Sequence, residues 1–327
     1  MPLSAEVLRA ALPHCLAQSH CPALGTPRRG KVRDIYPLPD GRLAWVTTDR
    51  ISAFDQAIGT LPFKGQVLTW TAAHNFGALA DIAPHHLLSV PDPNVLVVQA
   101  CAPLPVEFVV RAYLTGVTAT SIWTHYKAGG REFCGHRLPE GLRQYEALPA
   151  PILTPSTKAA AGGHDRSLSR AELLRAGTIT AADFDACAAL ALALFARGQA
   201  LCAAQGLMLV DTKYEFGRDA DGTLRLIDEV HTPDSSRFWY SESYAARLAA
   251  GKAPESFDKE FVRRWLVAHR AAAGAPWPAL SDAVRIGAAD RYIRAAETIC
   301  AASFVPDEAE PSARVATALA ALAGETT

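Results

Sequence analysis

The sequence has almost no net charge, no paired-cysteine motif and no long apolar run. Its 327 residues include 32 lysines and arginines against 33 aspartates and glutamates, which gives a formal charge of −1. Proteins that bind nucleic acids or anionic membranes usually carry a basic excess. No apolar run approaches the roughly 20 residues of a membrane-spanning helix. The sequence therefore predicts a protein with neither a nucleic-acid nor a membrane partner.

The cysteines give no sign of a disulfide framework. Seven are scattered along the chain without a CxxC pair, and an odd number cannot all pair with one another. Free thiols are typical of a reducing compartment. The first 20 residues are amphipathic but lack the continuous apolar core of a signal peptide, so we predict a helix capped by Ser4. These features predict a cytoplasmic protein.

The length and the hydrophobic content predict two lobes. A chain of 327 residues, half of them hydrophobic, suits about two domains with a sizeable core. Residues 102–105 read APLP and separate two β-rich runs. We predict a hinge there, between a smaller N-terminal lobe of residues 1–104 and a larger C-terminal lobe of residues 105–327.

The order of the predicted elements indicates an α+β protein. Two strands near the N-terminus, residues 30–36 and 42–48, are joined by a Pro-Asp-Gly turn. Residues 117–175 lack periodicity and are predicted to be a long irregular region, which is usually functional or mobile. Strands mixed with helices that are grouped between and after them are typical of this class. Helices are predicted over residues 65–82, 181–205, 257–273, 282–303 and 312–323, the last three each after a serine cap.

Residues 209–239 predict a hairpin that brings two carboxylates together. Asp221-Gly222 between two strand-like runs is the signal of a two-residue turn. Counting outward from that turn puts Glu215 directly opposite Asp228, where Cβ atoms are roughly 4.5–5.5 Å apart. Two like charges at that distance repel each other, so a cation is expected between them. The alternative is a solvated hairpin whose charges only keep it soluble.

The same count divides the hairpin into a charged face and an apolar face. A hairpin of this kind is typical of the floor of a binding site. The charged face is predicted to carry Asp211, Lys213, Glu215, Asp228 and Val230, and the buried face Val210, Tyr214, Phe216 and Ile227.

Several cations outside the hairpin suit the binding of phosphate groups. Lys31 and Arg33 would share one face of a strand and clamp a polyphosphate, although an exposed basic strand edge is an open alternative. Arg111 lies in an apolar run and needs an anionic partner, either an internal carboxylate or a bound phosphate. Residues 232–237 are rich in hydroxyl groups and end in Arg237, whose side chain suits phosphate or carboxylate.

Further candidates lie at a strand end and in the irregular region. Lys64 comes where a strand gives way to a helix, and Asp49 is open there to a ligand or a capping role. Lys158 and the His164-Asp165 pair would close over a substrate. The chain has no nucleophile–base motif and no GxxxxGK[ST] phosphate loop. Groups of cations with an opposed carboxylate pair indicate phosphoryl chemistry with a divalent metal.

Six motifs, in this order and spacing, resemble those of the phosphoribosylaminoimidazole-succinocarboxamide synthase (SAICAR synthetase) family. They are GKVRDIY, TDRISAFD, VVRAYLTG, TPSTKA, DTKYEFG and IDEVHTPDSSRFW. The resemblance implies an ATP-dependent ligase that joins L-aspartate to carboxyaminoimidazole ribonucleotide (CAIR) in de novo purine biosynthesis. SAICAR, ADP and phosphate would be released, by way of an acyl phosphate. A two-lobed fold like that of kinases and ATP-grasp proteins is also implied.

The resemblance also implies roles for the candidate residues, with ATP and Mg²⁺ as cofactors. Glu215 and Asp228 would hold Mg²⁺ at the ATP phosphates. Asp165 would act as a general base toward the aspartate amine. Lys213 would lie near the carboxylate of the ribonucleotide. The implied nucleotide contacts are Lys31, Arg33 and Lys64, and the implied substrate contacts are Arg111, Ser121, Lys158, Ser236 and Arg237.

Two departures from the family pattern leave alternatives open. Many members have serine directly after the glycine of the arginine motif, whereas here Gly116 is followed by VTATS. The phosphate-binding hydroxyl is then Ser121, after a four-residue insertion, or Thr118. Arg33 stands where other members have lysine, and a guanidinium fork differs in geometry from a point charge.

Two other functions are compatible with the same residues. A small-molecule kinase would use the same metal and ATP site and would release ADP without aspartate. The third possibility is a non-catalytic nucleotide-binding protein. The pair of Glu215 and Asp228, together with Lys31 and Lys213, argues against it. The assembly state is predicted only as a monomer or a small homo-oligomer.

Overall fold

The computed structural model describes residues 3–54, 56–117, 121–158, 166–257, 260–272 and 274–324. All strand pairings within its sheets are antiparallel, so the prediction of a mixed fold with antiparallel strands is confirmed. The helices are α1 (Ala5–Ala11), α2 (Lys64–Ala78), α3 (Ile122–Lys127), α4 (Arg170–Arg175), α5 (Ala181–Ala204), α6 (Ser241–Ala249), α7 (Glu260–His269), α8 (Asp282–Cys300) and α9 (Pro311–Gly324). The strands are β1 (Arg28–Arg29), β2 (Arg33–Pro37), β3 (Leu43–Thr47), β4 (Arg50–Ala53), β5 (Gln56–Thr60), β6 (Leu87–Asp92), β7 (Val95–Val98), β8 (Ala102–Tyr113), β9 (Glu132–Phe133), β10 (His136–Arg137), β11 (Ala147–Leu153), β12 (Ser156–Thr157), β13 (Leu207–Arg218), β14 (Leu224–Ile227) and β15 (Ser236–Tyr240).

The N-terminal sheet has five strands in the order β1-β2-β3-β7-β6. Its central hairpin, β2–β3, is the one predicted from the sequence, with Arg33 opposite Thr47. The loop is residues 39–41, and Gly41 takes a φ of 85° there. Glycine adopts this left-handed conformation without the clash that a Cβ would cause. The Pro-Asp-Gly turn is therefore confirmed.

The larger sheet runs β11-β8-β13-β14, with β12 also on β8 and β15 also on β13. Strand β8 includes residues 102–105, and Pro103 lies opposite Gly217 of β13. The prediction that APLP is a break between two β-rich runs is wrong, because these prolines begin a paired strand. Proline is tolerated at the first residues of a strand, where few ladder bonds are lost. The division of the chain into two lobes near residue 104 stays a prediction.

Helix α5 covers the larger sheet and has the boundaries that the sequence predicts. The Thr180 hydroxyl accepts a hydrogen bond from the Asp183 N–H at 3.1 Å, and Gly206 follows the last turn with a φ of 70°. Its buried side chains, among them Phe184 and Leu194, pack into the main apolar core. By length and composition α5 is apolar enough to cross a membrane, with a mean hydropathy of 1.6. Its uninterrupted apolar run spans only residues 186–196, between Asp185 and Arg197, so the prediction that no apolar run approaches that length is not contradicted.

The region 117–175 is not irregular over its described part. It contains helices α3 and α4 and strands β9 to β12. These elements are short, and β11 and β12 are held by pairing with β8. Local periodicity does not report a pairing with a distant strand, which explains why the sequence predicted no structure here.

The C-terminal helices return to the N-terminal part of the chain. Tyr292 and Ile293 of α8 share an apolar cluster with Val67 and Leu68 of α2. Helix α9 packs on the N-terminal sheet through another cluster. Of the three predicted serine caps only Ser281 directly precedes its helix, and its hydroxyl makes no capping bond. Helix α6 is an addition that the sequence did not predict. All seven cysteines are free, as predicted.

Candidate active site

The hairpin β13–β14 differs from the prediction by one residue in register. Glu215 lies opposite Ile227 and not opposite Asp228. The loop has three residues, 220–222, and Gly222 takes a φ of 79°. A three-residue loop that ends in a left-handed glycine is a common alternative to the two-residue turn, and Asp-Gly suits both.

The change of register moves side chains between the two faces, since neighbouring residues of a strand point in opposite directions. Ile227 shares the face of Glu215, and Leu226 packs with Phe216 in the core instead. Val230, which was predicted on the charged face, also lies in that core. All four residues predicted on the buried face are buried, namely Val210, Tyr214, Phe216 and Ile227.

Asp228 still meets Glu215, because its backbone leaves the strand in a left-handed conformation. Strand β14 ends at Ile227, and Asp228 has a φ of 68°. Lys213 Nζ contacts Glu215 Oε1 and lies 3.1 Å from Asp228 Oδ2. The two carboxylates therefore meet around one cation, as their predicted repulsion required.

The charges of this group hold one another in their ionised forms. Burial would lower the pKa of Lys213, but Asp228, Glu215 and Glu107 outweigh it and hold that pKa well above its usual value. Burial would raise the pKa of Asp228, but Lys213 and Arg33 outweigh it and hold that pKa below its usual value. Lys213 is therefore a permanent cation at neutral pH and not a proton acceptor.

Arg33 is buried against the same group. Its Nη1 lies 2.6 Å from Asp228 Oδ1, and its Nη2 lies 3.1 Å from Glu229 Oε2. Lys31 is exposed and precedes the start of β2. The prediction that Lys31 and Arg33 share one strand face is therefore wrong, since the chain turns between them.

Arg50, from the TDRISAFD motif, holds this turn in shape. Its guanidinium donates to the carbonyl oxygens of Gly30 at 3.0 Å and Lys31 at 3.2 Å. It also donates to Asp34 Oδ1 at 2.8 Å. Arg50 thus fixes the backbone of the turn that carries Lys31.

Two further residues complete the group. Lys158 Nζ contacts Glu215 Oε2, so this residue of the region 117–175 reaches the predicted site. Glu107 lies opposite Glu215 across β8 and β13, and its Oε1 is 3.5 Å from Lys213 Nζ. Sequence reasoning missed Glu107, because no local pattern reports that β8 pairs with β13. Among the described residues this acidic cluster has four carboxylates and three cations, namely Glu107, Glu215, Asp228 and Glu229 with Arg33, Lys158 and Lys213.

A second group of charges, the arginine cluster of Arg111, Arg237 and Asp211, lies nearer the start of β13. Arg111 Nη1 is 3.2 Å from Asp211 Oδ2, and Arg237 Nη1 contacts the same oxygen. Arg111 Nε also donates to Thr154 Oγ1 at 2.9 Å. Arg111 thus has the internal carboxylate that was one of its predicted alternatives. Two guanidinium groups nevertheless share one carboxylate, so the arginine cluster keeps a positive excess.

The arginine cluster lines a cavity of about 150 Å³. Ser235 and Ser236 line it from the loop of residues 232–237, and the Ser236 hydroxyl lies 2.7 Å from Thr212 Oγ1. Arg263 of α7 lines it as well. The sequence did not single out Arg263, because a charged residue on an amphipathic helix is usually a solvated one.

Ser121 lies beside the arginine cluster. A Cβ built on Gly116 would come within 2.5 Å of Ser121 Cβ and 3.7 Å of Arg237 Nη2, so these side chains flank Gly116. Ser121 is therefore next to Gly116 in space, although four residues separate them in the chain. Thr118, the alternative, lies outside the described residues.

Lys64 does not reach the surface of either cluster. Its side chain has no exposed area, and its Nζ lies 2.9 Å from Asp234 Oδ2. Asp49 has the capping role, since its Oδ1 accepts from the Gly65 N–H at 2.8 Å. The geometry gives Lys64 a structural contact, and a direct contact with ATP stays a prediction. Asp165, the predicted general base, lies outside the described residues.

Comparison with known proteins identifies the family. A family model described as SAICAR synthetase matches residues 26–277. The chain belongs to the SAICAR synthetase family. A Mesorhizobium japonicum relative is 51% identical over 292 residues, which cover 89% of this chain and 93% of its own. The Legionella pneumophila phosphoribosylaminoimidazole-succinocarboxamide synthase is 46% identical over 301 residues, which cover 90% of this chain and 94% of its own.

Solved structures agree with this assignment to the SAICAR synthetase family. SAICAR synthase of Saccharomyces cerevisiae, in complex with SAICAR, is 30% identical and has a TM-score of 0.74. The match covers 89% of this chain and all of that one. The function predicted from the sequence is therefore confirmed: the chain is a ligase of purine biosynthesis that joins CAIR and L-aspartate. The family model ends at residue 277, so α8 and α9 lie beyond it.

Proposed function

We propose that this SAICAR synthetase uses ATP and Mg²⁺ to activate the carboxylate of CAIR for attack by L-aspartate. The observation that carries the proposal is that both charge clusters share one face of β13. Asp211, Lys213 and Glu215 alternate along the strand and therefore point to the same side. Four residues of strand span about 13 Å. A substrate with a phosphate at one end and a carboxylate at the other would contact both clusters at once.

The arginine cluster would hold the phosphate of the ribonucleotide. Arg111 and Arg237 offer guanidinium forks, which match phosphate oxygens with paired hydrogen bonds. Ser121 and Ser236 would add hydroxyl donors at the same cavity, and Arg263 a further cation. The relative from Saccharomyces cerevisiae was solved with SAICAR bound, which supports a site of this kind here.

The acidic cluster would hold Mg²⁺ between the nucleotide and the ribonucleotide. Magnesium is usually bound by one or two carboxylates, with water and phosphate oxygens as the other ligands. Glu215 and Asp228 fit that description, and the excess of carboxylates in the cluster favours a cation. No group of three or more His, Cys, Asp or Glu within the described ranges would hold a metal alone. When bound, the ion would neutralise charge on the transferred phosphoryl group.

The nucleotide would approach the acidic cluster from the N-terminal sheet. Lys31 and Arg33 would bind the ATP phosphates, with Arg33 exchanging a carboxylate partner for a phosphate. A type-2 SAICAR synthetase of the same fold was solved with ADP, at 22% identity and a TM-score of 0.65. A two-lobed arrangement with the nucleotide in the cleft, as in kinases and ATP-grasp proteins, is part of this proposal.

The chemistry requires activation because a carboxylate resists attack by an amine and has no good leaving group. Transfer of the γ-phosphoryl group to the CAIR carboxylate gives an acyl phosphate and ADP. The aspartate amine then attacks the acyl carbon, the C–N bond forms, and phosphate leaves. Lys213 would stabilise the oxygen charge throughout, since it stays protonated. Asp165 would take the proton of the amine, and Lys158 would help to bind the substrate carboxylate.

The products of the purified protein test this proposal. With ATP, Mg²⁺, L-aspartate and CAIR, mass spectrometry should detect SAICAR and ADP in equal amounts. Omission of any one substrate should stop SAICAR formation. ADP formed with CAIR but without aspartate, together with a stable phosphorylated product, would favour the small-molecule kinase instead. We expect a cytoplasmic monomer or small homo-oligomer, without nucleic-acid or membrane partners.

A further inference from the structure

A buried carboxylate in the substrate loop is held by two residues from distant parts of the chain. Asp234 belongs to residues 232–237, and it lines the cavity of the arginine cluster. Lys64 Nζ lies 2.9 Å from its Oδ2, and the Tyr292 hydroxyl donates to its Oδ1 at 2.6 Å. The side chains of Lys64 and Asp234 are 0% and 2% exposed. One carboxylate oxygen thus has a cation as its partner, and the other has a neutral hydroxyl.

The position of Asp234 is transmitted to residues that line the substrate cavity. The N–H groups of Ser235 and Ser236 both donate to the Thr232 carbonyl, at 3.2 and 3.0 Å. The Ser235 carbonyl in turn accepts from the Lys213 N–H at 3.1 Å. A tight turn bonded in this way moves as a unit. A displaced Asp234 would therefore shift Ser236, which lines the cavity.

Tyr292 comes from a helix that is well placed to anchor this turn. It lies on α8, which packs against α2 through an apolar cluster. Lys64, at the start of α2, has its Nζ 5.5 Å from the centre of the Tyr292 ring. The packing of α8 on α2 thus holds Lys64 and Tyr292 next to each other at Asp234. Helix α8 lies beyond the residues that the family model matches.

We propose that Tyr292 is a positioning residue for the ribonucleotide, which it does not touch. Its hydroxyl orients the Asp234 carboxylate and thereby sets Ser236 and Arg237 at the phosphate end of the cavity. Lys64 already neutralises the charge of Asp234. The Tyr292 hydroxyl therefore fixes the orientation of that carboxylate and does not change the net charge. The inference rests on the proposed function, since it assumes that the arginine cluster binds the ribonucleotide phosphate.

The variant Tyr292→Phe removes the hydroxyl and keeps the ring that packs in the apolar cluster. We expect the KM for CAIR to rise roughly tenfold, the scale of one hydrogen bond to a charged group. The kcat and the KM values for ATP and aspartate should stay at wild-type values. The matched control is Tyr126→Phe, which removes a buried hydroxyl that donates to the Pro139 carbonyl at 2.7 Å, away from the loop. That control should leave all three KM values unchanged.

A double-mutant cycle with Arg237→Lys separates positioning from general destabilisation. If Tyr292 acts through the loop, the KM increases of the two single variants should not multiply in the double variant. Independent, fully multiplicative effects would overturn the proposal. So would a Tyr292→Phe enzyme with a normal CAIR KM, or one in which all three KM values rise together with a lower melting temperature. A wild-type protein that forms no SAICAR would overturn the proposed function itself, which is a different outcome.

Discussion

Asp228 is bound by Lys213 and Arg33, and these two cations keep its carboxyl pKa below the usual value in spite of burial. The substitution Asp228→Asn removes one negative charge from the acidic cluster and keeps the size of the side chain. We expect kcat to fall by at least about 100-fold, the usual effect of losing one electrostatic group at a reacting centre. The dependence of the rate on Mg²⁺ should also shift to higher concentration.

The control for this variant is Asp221→Asn, at the exposed tip of the same hairpin. It removes the same charge at a distance from the cluster and should leave kcat unchanged. If Asp228→Asn has the wild-type rate at limiting Mg²⁺, Asp228 does not hold the metal.

Arg237 is the second residue whose role can be isolated. In Arg237→Ala, Asp211 keeps its contact with Arg111 at 3.2 Å, so the fold should be retained. We expect the KM for CAIR to rise roughly 10- to 100-fold, since hydrogen bonds to a charged group are lost. Steady-state kinetics with each substrate varied in turn measure this. Arg197→Ala, which removes an exposed partner of Asp81, is the control. An increase confined to the aspartate KM would move Arg237 to another pocket.

At the scale of the elements, the start of helix α2 is closely packed against its neighbours. A Cβ on Gly65 would lie 2.2 Å from both the Thr47 carbonyl oxygen and Asn94 Nδ2. Backbone atoms cannot yield at that distance, so Gly65→Ala should destabilise the protein by about 1–3 kcal/mol or more. A chemical denaturation curve measures the loss.

The same helix provides the control for that prediction. A Cβ on Gly77 would meet nothing within 4 Å. Gly77→Ala should therefore be neutral or stabilise the protein by up to about 1 kcal/mol, because alanine is the better helix former. Equal effects of the two substitutions would show that close packing does not fix the start of α2.

For the whole molecule, two buried histidines predict how stability depends on pH. Burial lowers the pKa of His86 and of His231 to about 3. An unfolded histidine has a pKa of about 6.5, so between these values the unfolded chain binds more protons than the folded one. The free energy of unfolding therefore falls as the pH falls through this window, by up to about 1.4 kcal/mol per pH unit and histidine. Asp49 opposes this between about pH 6 and pH 4, since burial raises its pKa to about 6.

Thermal melting at pH 7 and pH 5 tests this balance. Between pH 7 and pH 5 the two histidines lower the free energy of unfolding by more than Asp49 raises it. The melting temperature should therefore be lower at pH 5. His231→Gln should reduce the difference between the two pH values, whereas His20→Gln, at an exposed position, should leave it unchanged. A wild-type melting temperature that rises toward pH 5 would contradict the prediction.

Much of this protein is determined by short stretches of its sequence. The ends of α5 follow from Thr180 and Gly206, because a cap and a stop act on the adjacent turn. The hairpin β2–β3 follows from its Pro-Asp-Gly turn. The meeting of Glu215, Asp228 and a cation was also predictable, since all three groups lie on one hairpin. The six motifs also indicated the family, because each motif is a short run of neighbouring residues.

Only the tertiary structure decided the rest. The Asp-Gly signal does not separate a two-residue from a three-residue loop, so the register of β13–β14 was settled by the packing of Leu226 and Val230 in the core. Glu107 entered the acidic cluster through the pairing of β8 with β13, and Tyr292 reached Asp234 through the packing of α8 on α2. Such contacts join residues that are far apart in the chain. Their energies depend on surfaces that exist only after folding, and no local pattern of side chains records them.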